Sequence, residues 1–392
     1  MFMVIVGDLA LALSLQSQVN AATVPVAFGF GDRSGGALGD GYPGYVLEPV
    51  HVADDVVSVA AGAAFSAFIK SDGTLWTCGE NSEGQLGDGS TQHRTMPVLV
   101  ASGVASVACG SDHMAFVKSD GTLWTVGSNF YGQLGDGSSV DRSTPVQVAS
   151  GVASVAAGWS HTLYIKTDGT LWAFGYNGFG QLGLGNNSMQ RSPVQVATGV
   201  ASVAADTYFS IWVGVDGRLW ATGQNASGNL GDGTTTSRNL AVEVLTGVAS
   251  VAAGNAHALA VKTDGSLWVT GSNSSGQLGD GSSASKTAFA QVASDVMRAS
   301  GGGNFSMFLK ADGTLWATGS GAYGNLGTGA RTSRTSPIQV ATLVAAVDAG
   351  FSYSCYLKAD GSLWSVGKND FGVLGDGSSA VRAEPEPILD GL

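Results

Sequence analysis

The residues that could carry chemistry are few, and the most suggestive of them recur at one spacing. His113, His161 and His257 occupy the same place in three stretches of chain separated by multiples of 48 residues. A catalytic dyad needs a nucleophile and a base at unlike positions that converge. One histidine per stretch, always at the same place, instead indicates packing or hydrogen bonding. The sequence therefore predicts no catalytic residue and a protein that is not an enzyme.

Metal, cofactor and redox chemistry also lack the spacing that they need. The cysteines Cys78, Cys109 and Cys355 form no Cys-x-x-Cys pair, and an odd, sparse set is not a disulfide framework. Asp-Gly pairs recur, but an isolated Asp-Gly turn lacks the clustered oxygen ligands of a calcium loop. The glycine-rich segments contain no Gly-x-x-x-x-Gly-Lys-Ser/Thr phosphate loop. We expect no metal, no cofactor and no small-molecule substrate.

The charge balance disfavours nucleic acid as a partner. The chain has 18 Lys and Arg against 30 Asp and Glu, for a net charge of −12, and it contains no basic run. Such a chain is a poor binder of phosphate backbones and anionic membranes. Thirteen acids and twelve bases recur in register, which leaves 17 acids and 6 bases elsewhere. The acidic excess therefore lies where the repeated segments differ.

A 48-residue period organises the elements that must position these side chains. Each unit contains Asp-Gly-x-Leu-Trp, a glycine three residues after the tryptophan, and then Leu-Gly-Asp-Gly, where Leu184 and Thr328 replace the aspartate in the third and sixth units. Seven units run without insertion from Val57 to Leu392. The repeated tryptophans are Trp76, Trp124, Trp172, Trp220, Trp268, Trp316 and Trp364. Most of the 59 glycines serve these repeated turns and strands.

Each unit is predicted to form four short strands. In the third unit these are Val152–Ala156, His161–Lys166, Leu171–Gly175 and Pro193–Val196, with the proline at the start of its strand. Four strands repeated with tight glycine turns are typical of β-propeller blades. The predicted fold is all-β, a seven-bladed β-propeller with a surplus N-terminal half unit. The small first strand suits the crowded axis, and each tryptophan is expected to lie between neighbouring blades.

The repeat resembles that of the regulator of chromosome condensation family. The matching pattern is Gly-x-x-His, Asp-Gly-x-Leu-Trp-x-x-Gly-x-Asn, Gly-Gln-Leu-Gly and a late Pro-x-x-Val, although Phe65, Phe209, Phe305 and Tyr353 replace the histidine in four units. The resemblance implies the propeller fold and a face that binds protein. Family members include a guanine-nucleotide exchange factor, modules of ubiquitin ligases and membrane proteins, and secreted bacterial inhibitors of β-lactamases. This chain lacks the basic tail of the exchange factors, so we do not carry nucleosome or GTPase recognition over to it.

The beginning of the chain departs from the repeat. Residues 27–56 match the second half of a unit, with Phe28 in the tryptophan place, and residues 57–392 form the seven repeats. Residues 1–26 are mostly apolar. A secretory signal normally begins with a basic region, and these residues contain no Lys or Arg. They are interpreted as a signal-like segment or a docking strand. The surplus half unit could close the ring, extend a blade or pair with another subunit.

Binding through aromatic loop residues is the most plausible function at the level of residues. Aromatic side chains at variable turn positions are the types that anchor protein interfaces, although they can also pack locally between blades. They stand in the Asn-x-x-Gly turn and after the Ala-Gly element that ends the first strand. The predicted partner-binding residues are Phe130, Tyr131, Trp159, Phe179, Tyr208, Tyr323, Phe351 and Phe371.

These observations predict a non-enzymatic scaffold, extracellular or on the cell surface, that binds protein. The partner is a second copy or another protein, and the sharper hypothesis is a homopolymer built by docking residues 1–50 onto a neighbour. The alternative is a secreted binding or enzyme-inhibitor module that stays monomeric. Guanine-nucleotide exchange is less favoured, because no residue of the sequence specifically supports it.

Overall fold

The fold was obtained as a computed structural model. It describes residues 2–6, 9–11, 26–32, 45–369, 374, 376 and 378–389, and the side chains among them from residue 52 to 387. The described residues form strands and no helix. The architecture is all-β, with seven blades of four antiparallel strands arranged as a β-propeller, as the sequence predicts.

An additional four-stranded sheet precedes the seven blades. Its strands are β1 (Phe2–Val6), β2 (Leu9–Leu11), β3 (Val26–Asp32) and β4 (Tyr45–Asp54), in the order β2-β1-β3-β4. β1 runs parallel to β3, and the other pairs are antiparallel. The surplus half unit supplies β3 and β4, so the N-terminal strands complete this sheet within the same chain. Whether residues 1–26 also act as a signal or contact another subunit stays a prediction.

The first three blades repeat one order of strands. Blade one contains β5 (Val56–Ala61), β6 (Phe65–Lys70), β7 (Leu75–Gly79) and β8 (Arg94–Ala101). Blade two contains β9 (Val104–Cys109), β10 (His113–Lys118), β11 (Leu123–Gly127) and β12 (Arg142–Ala149). Blade three contains β13 (Val152–Ala157), β14 (His161–Lys166), β15 (Leu171–Gly175) and β16 (Gln190–Ala197).

The remaining blades keep the same order. Blade four contains β17 (Val200–Ala205), β18 (Phe209–Gly214), β19 (Leu219–Gly223) and β20 (Arg238–Leu245). Blade five contains β21 (Val248–Gly254), β22 (His257–Lys262), β23 (Leu267–Gly271) and β24 (Lys286–Ala293). Blade six contains β25 (Val296–Gly301), β26 (Phe305–Lys310), β27 (Leu315–Gly319) and β28 (Arg334–Ala341). Blade seven contains β29 (Val344–Ala349), β30 (Tyr353–Lys358), β31 (Leu363–Gly367) and β32 (Arg382–Leu389).

The Asp-Gly hairpin shows why the sequence folds this way locally. The carboxylate of Asp72 accepts hydrogen bonds from the amide and the hydroxyl of Thr74, at 2.9 and 2.6 Å. The same hydroxyl accepts a hydrogen bond from Nε1 of Trp76, and the Lys70 ammonium lies 5.5 Å from the ring centroid of that tryptophan. The aspartate thus fixes the turn, and the turn fixes the tryptophan.

One detail of the predicted strands is wrong. The fourth strand of the third unit begins at Gln190, three residues before Pro193, so the proline lies inside the strand. The register between β15 and β16 shifts between Ala173 and Gly175. This irregularity on the outermost strand accommodates a residue that has no amide hydrogen to donate.

Two compact units are distinguished within the chain, Met1–Gly178 with Asn186–Tyr208 and Phe179–Gly185 with Phe209–Leu392. In the first unit, Trp124 packs against a buried cluster that joins Phe65 of blade one to Phe116 of blade two. In the second unit, Trp316 packs against a cluster that joins Leu259 of blade five to Phe308 of blade six. The repeated tryptophans therefore lie between neighbouring blades, as expected.

Candidate protein-binding surface

The Asn-x-x-Gly turn that carries Phe130 and Tyr131 is held by a buried asparagine. Asn129 accepts a hydrogen bond from the amide of Leu134 at 3.1 Å, and its Nδ2 donates to Oδ1 of Asp136 at 3.0 Å. The amide of Gly132 donates to the carbonyl of Asn129 at 2.9 Å. A rigid turn of this kind presents its two variable side chains without an ordering cost on binding.

An aromatic row runs across this side of the first unit, and it consists of Phe130, Tyr131, Tyr176 and Tyr208. The ring centroids of Phe130 and Tyr131 are 4.9 Å apart, and those of Tyr131 and Tyr176 are also 4.9 Å apart. Tyr176 and Tyr208 follow at 6.3 Å. All three contacts have edge-to-face geometry, the arrangement that the aromatic quadrupole favours. Phe130 is 68% exposed at the open end of the row.

Tyr176 was missed by the sequence analysis. It stands one residue before the Asn-x-x-Gly turn, where the other repeats carry polar or charged residues, so no recurring aromatic marks it. Gly178 gives the tyrosine its room, because a Cβ at that glycine would lie 2.3 Å from the Tyr176 hydroxyl. The row thus joins three of the predicted residues through a fourth that the repeat pattern does not indicate.

The remaining predicted binding residues have the following surroundings. Trp159 of the first unit is 51% exposed, and its carbonyl accepts a hydrogen bond from the amide of Ser111 at 3.1 Å. In the second unit, Phe179 is half-buried and Phe351 is 64% exposed, while Tyr323 lies under the ammonium of Lys368 at 5.5 Å. The last predicted residue, Phe371, lies outside the described residues.

Four carboxylates gather beside the row and are named here the acidic cluster: Glu80, Glu83, Asp112 and Asp141. Oδ1 of Asp141 accepts a hydrogen bond of 2.6 Å from the amide of Asn129, the residue before Phe130. Burial raises the pKa of Glu83, and a hydrogen bond with Asp141 and the charges of Asp141, Asp112 and Glu80 raise it further. Asp141, Asp112 and Glu80 are therefore each close enough to Glu83 to repel its ionised carboxylate.

Comparison with known proteins decides the family. A family model described as the RCC1-like domain matches residues 26–246, which is more than half of the chain. The chain belongs to the RCC1-like domain family. Models of the regulator of chromosome condensation (RCC1) repeat match residues 248–277, 312–357 and 344–373. The resemblance seen in the sequence is thereby confirmed, and the fold is one that typically binds proteins.

Solved structures agree with this RCC1-like fold. Human WBSCR16 matches with a TM-score of 0.68 and 22% identity, covering 84% of this chain and 97% of that one. Prp20p from Saccharomyces cerevisiae matches with a TM-score of 0.65 and 20% identity, covering 83% of this chain and 88% of that one. Identities this low support the fold and no more. A search of the curated proteins finds no match.

The repeated aspartates of this RCC1-like chain have a structural role. Oδ2 of Asp136 pairs with Nη2 of Arg142 at 2.7 Å, and Oδ1 accepts hydrogen bonds from Asn129 and from the amide and hydroxyl of Ser138. In blade five, burial alone would raise the pKa of Asp280, but hydrogen bonds from Lys286, Ser282 and Asn273 lower it to about 2. Within the described residues no group of three or more His, Cys, Asp or Glu could hold a metal ion.

The repeated histidines of this RCC1-like chain are fully buried, and His113 and His257 each contact a hydroxyl of the next blade. Nε2 of His113 lies 3.0 Å from the Thr162 hydroxyl, and Nε2 of His257 lies 2.9 Å from the Ser306 hydroxyl. Burial lowers the pKa of His113 and His257 to about 4, and burial with the charge of His113 lowers that of His161 to about 3. These imidazoles are neutral at physiological pH, and they are sealed from solvent. Within the described residues there is no helix that is long and apolar enough to cross a membrane.

Proposed function

We propose that this chain is a non-enzymatic scaffold that binds a protein partner through the aromatic row and the neighbouring Trp159. The observation that carries the proposal is an edge-to-face row of aromatic rings that ends in the 68% exposed Phe130, on a turn fixed by the buried Asn129. Aromatic anchors on rigid turns are the typical hot spots of protein interfaces. Structural neighbours add support, since yeast Prp20 has been solved bound to Kap60 and Prp20p binds Gsp1p and histones.

Affinity capture with the full chain tests this proposal. The partner is identified by capture and mass spectrometry, and its dissociation constant is measured for the wild type, Phe130→Ala and Trp159→Ala. We expect each variant to weaken binding at least about tenfold. Met96→Ala is the control, because Met96 is an exposed apolar residue on the outer strand β8 and is not part of the row. Unchanged affinity in both aromatic variants would refute the proposal.

A finer form of the proposal is an extracellular or surface subunit that assembles with itself. It is supported by the N-terminal strands: β1 pairs in parallel with β3, and two copies could form this same pairing by exchanging β1 and β2. The test is size-exclusion chromatography with light scattering, and electron microscopy, of the full chain and of a chain lacking residues 1–26. The finer form expects the full chain to assemble and the shortened chain to stay apart. The secreted binding or inhibitor module expects a monomer in both.

A further inference from the structure

The acidic cluster and the aromatic row occupy equivalent places in successive repeats. Glu83 stands 48 residues before Tyr131, Glu80 stands 96 residues before Tyr176, and Asp112 stands 96 residues before Tyr208. The same three loop positions therefore carry carboxylates in the earlier blades and tyrosines in the later ones. Carboxylates and rings consequently share one side of the first unit.

The two features are also joined by contacts in the structure. Asp141 links the row to the cluster. Its carboxylate accepts a hydrogen bond from the backbone amide of Asn129, the residue before Phe130, and it also interacts with Glu83. On the far side of the cluster, the Ser111 hydroxyl donates to Oδ2 of Asp112 at 2.6 Å, and the Ser111 amide donates to the carbonyl of Trp159. Exposed rings thus flank the carboxylates on both sides. The backbone of Arg191 passes close to Gly132, so one base of the chain also lies beside this part of the row.

The second unit shows what such a ring does with a cation. Tyr323 holds the place of Tyr131 four repeats later, and Lys368 holds the place of Tyr176. The Lys368 ammonium lies over the Tyr323 ring, 5.5 Å from its centroid. In the first unit the place of Lys368 is taken by Tyr176, which carries no positive charge.

Building on the proposed function, we propose that the aromatic row and the acidic cluster together bind an extended, arginine-bearing peptide segment of the partner. Guanidinium groups stack on Phe130 and Tyr131, and they pair with the carboxylates of Glu83 and Asp141. Arginine suits this surface better than lysine, because its planar group stacks on rings and pairs with two carboxylate oxygens at once. The carboxylates, which repel one another in the free protein, gain a counter-charge on binding.

Fluorescence anisotropy with the full chain tests this inference. The probes are a labelled decapeptide with four arginines spaced by glycine and serine, and the same peptide with citrulline, which keeps the shape without the charge. We expect the arginine peptide to bind at least about tenfold more tightly than the citrulline peptide. Phe130→Ala and Glu83→Gln should each weaken the arginine peptide about fivefold. Met96→Ala and Glu384→Gln, which change exposed residues on outer strands, should stay within about twofold of the wild type.

Three outcomes would overturn the inference. These are equal binding of the two peptides, no binding of the arginine peptide, and equal losses in the control variants, which would indicate attraction by net charge alone. The proposed function is refuted by a different result, in which neither Phe130→Ala nor Trp159→Ala changes the dissociation constant of the captured partner. The affinity of the captured partner could also fall with Phe130→Ala but stay the same when the partner's own arginines are replaced. That result would support the proposed function and contradict the inference.

Discussion

At the scale of single residues, Asp348 is the clearest departure from the repeat. Five first strands have alanine at this place and the sixth has Ser300, whose hydroxyl donates to Oδ1 of Asp348 at 2.8 Å. Burial raises the pKa of Asp348, while the hydrogen bonds from Ser300 and the Ala349 amide and the charge of Arg298 lower it. Burial has the larger effect, and the pKa is about 6. The ionised carboxylate therefore destabilises the fold at neutral pH.

We predict that Asp348→Ala raises the free energy of unfolding by about 1–2 kcal/mol at pH 7.5, after the lost hydrogen bond is counted. Between about pH 4 and 6 the native state binds more protons than the unfolded state, so the gain should shrink as the pH falls towards 4.5. Urea unfolding at the two pH values measures both effects. An equal gain at both would contradict the pKa that burial imposes on this carboxyl.

Asp136 tests the turn that presents the aromatic row. Its carboxylate holds Asn129, Ser138 and Arg142 together, so removing it takes one of three acceptors from the buried Asn129 amide and the paired carboxylate from the partly buried Arg142 guanidinium. We expect Asp136→Ala to cost about 3 kcal/mol of stability in chemical denaturation. Asp216→Ala is the matched control, because Asp216 also pairs with an arginine but is exposed, and it should cost less than about 1 kcal/mol. A loss in Asp136→Ala as small as the loss expected for Asp216→Ala would show that the turn does not depend on this carboxylate.

At the scale of the elements, two glycines separate backbone conformation from close packing. Both have positive φ, 109° at Gly127 and 67° at Gly103. A Cβ at Gly127 would lie 2.5 Å from the carbonyl oxygen of Asp112, whereas nothing lies within 4 Å of one at Gly103. We predict that Gly103→Ala costs about 1 kcal/mol. Gly127→Ala should cost several times more, because the strand ends of β10 and β11 must part. Thermal unfolding of the Gly103→Ala and Gly127→Ala variants measures both losses. Equal losses would show that backbone strain alone accounts for the cost at Gly127, without a contribution from the steric clash.

The strands and turns were predictable from the sequence because each repeat carries the same turn-forming residues at the same positions. The hairpins follow from Asp72 and its equivalents, and the tryptophans lie where a large side chain has room between blades. The aromatic row was only half predictable. Tyr131 and Tyr176 are 45 residues apart, and their contact depends on how one blade is offset against the next. The offset between neighbouring blades cannot be read from the amino-acid composition or from the 48-residue period.

At the scale of the whole molecule, burial of the three histidines makes stability depend on pH. The native pKa values of about 4, 3 and 4 for His113, His161 and His257 lie below the ordinary value of 6.5. The unfolded chain therefore binds more protons than the native state as the pH falls from 6.5 towards 4. Each histidine contributes stability that is complete above pH 6.5 and is lost through that window, by about 3 kcal/mol per residue. Asp348 opposes this trend between about pH 4 and 6, but a single carboxyl cannot balance three imidazoles.

We predict that the protein unfolds in acid with a midpoint between about pH 4 and 6, since the three histidines together offset most of the stability of a typical domain. His257→Phe is the informative variant. Phenylalanine occupies the same place in blade six as Phe305, against Gly302. There the hydroxyl of the next blade, on Ser354, donates to the carbonyl of Asn325, just as Ser306 beside His257 already donates to the carbonyl of Gln277. The variant should fold at pH 7 and unfold at lower pH than the wild type, as followed by tryptophan fluorescence during acid titration. An unchanged midpoint would mean that protonation elsewhere, at the paired aspartates of the turns, drives acid unfolding.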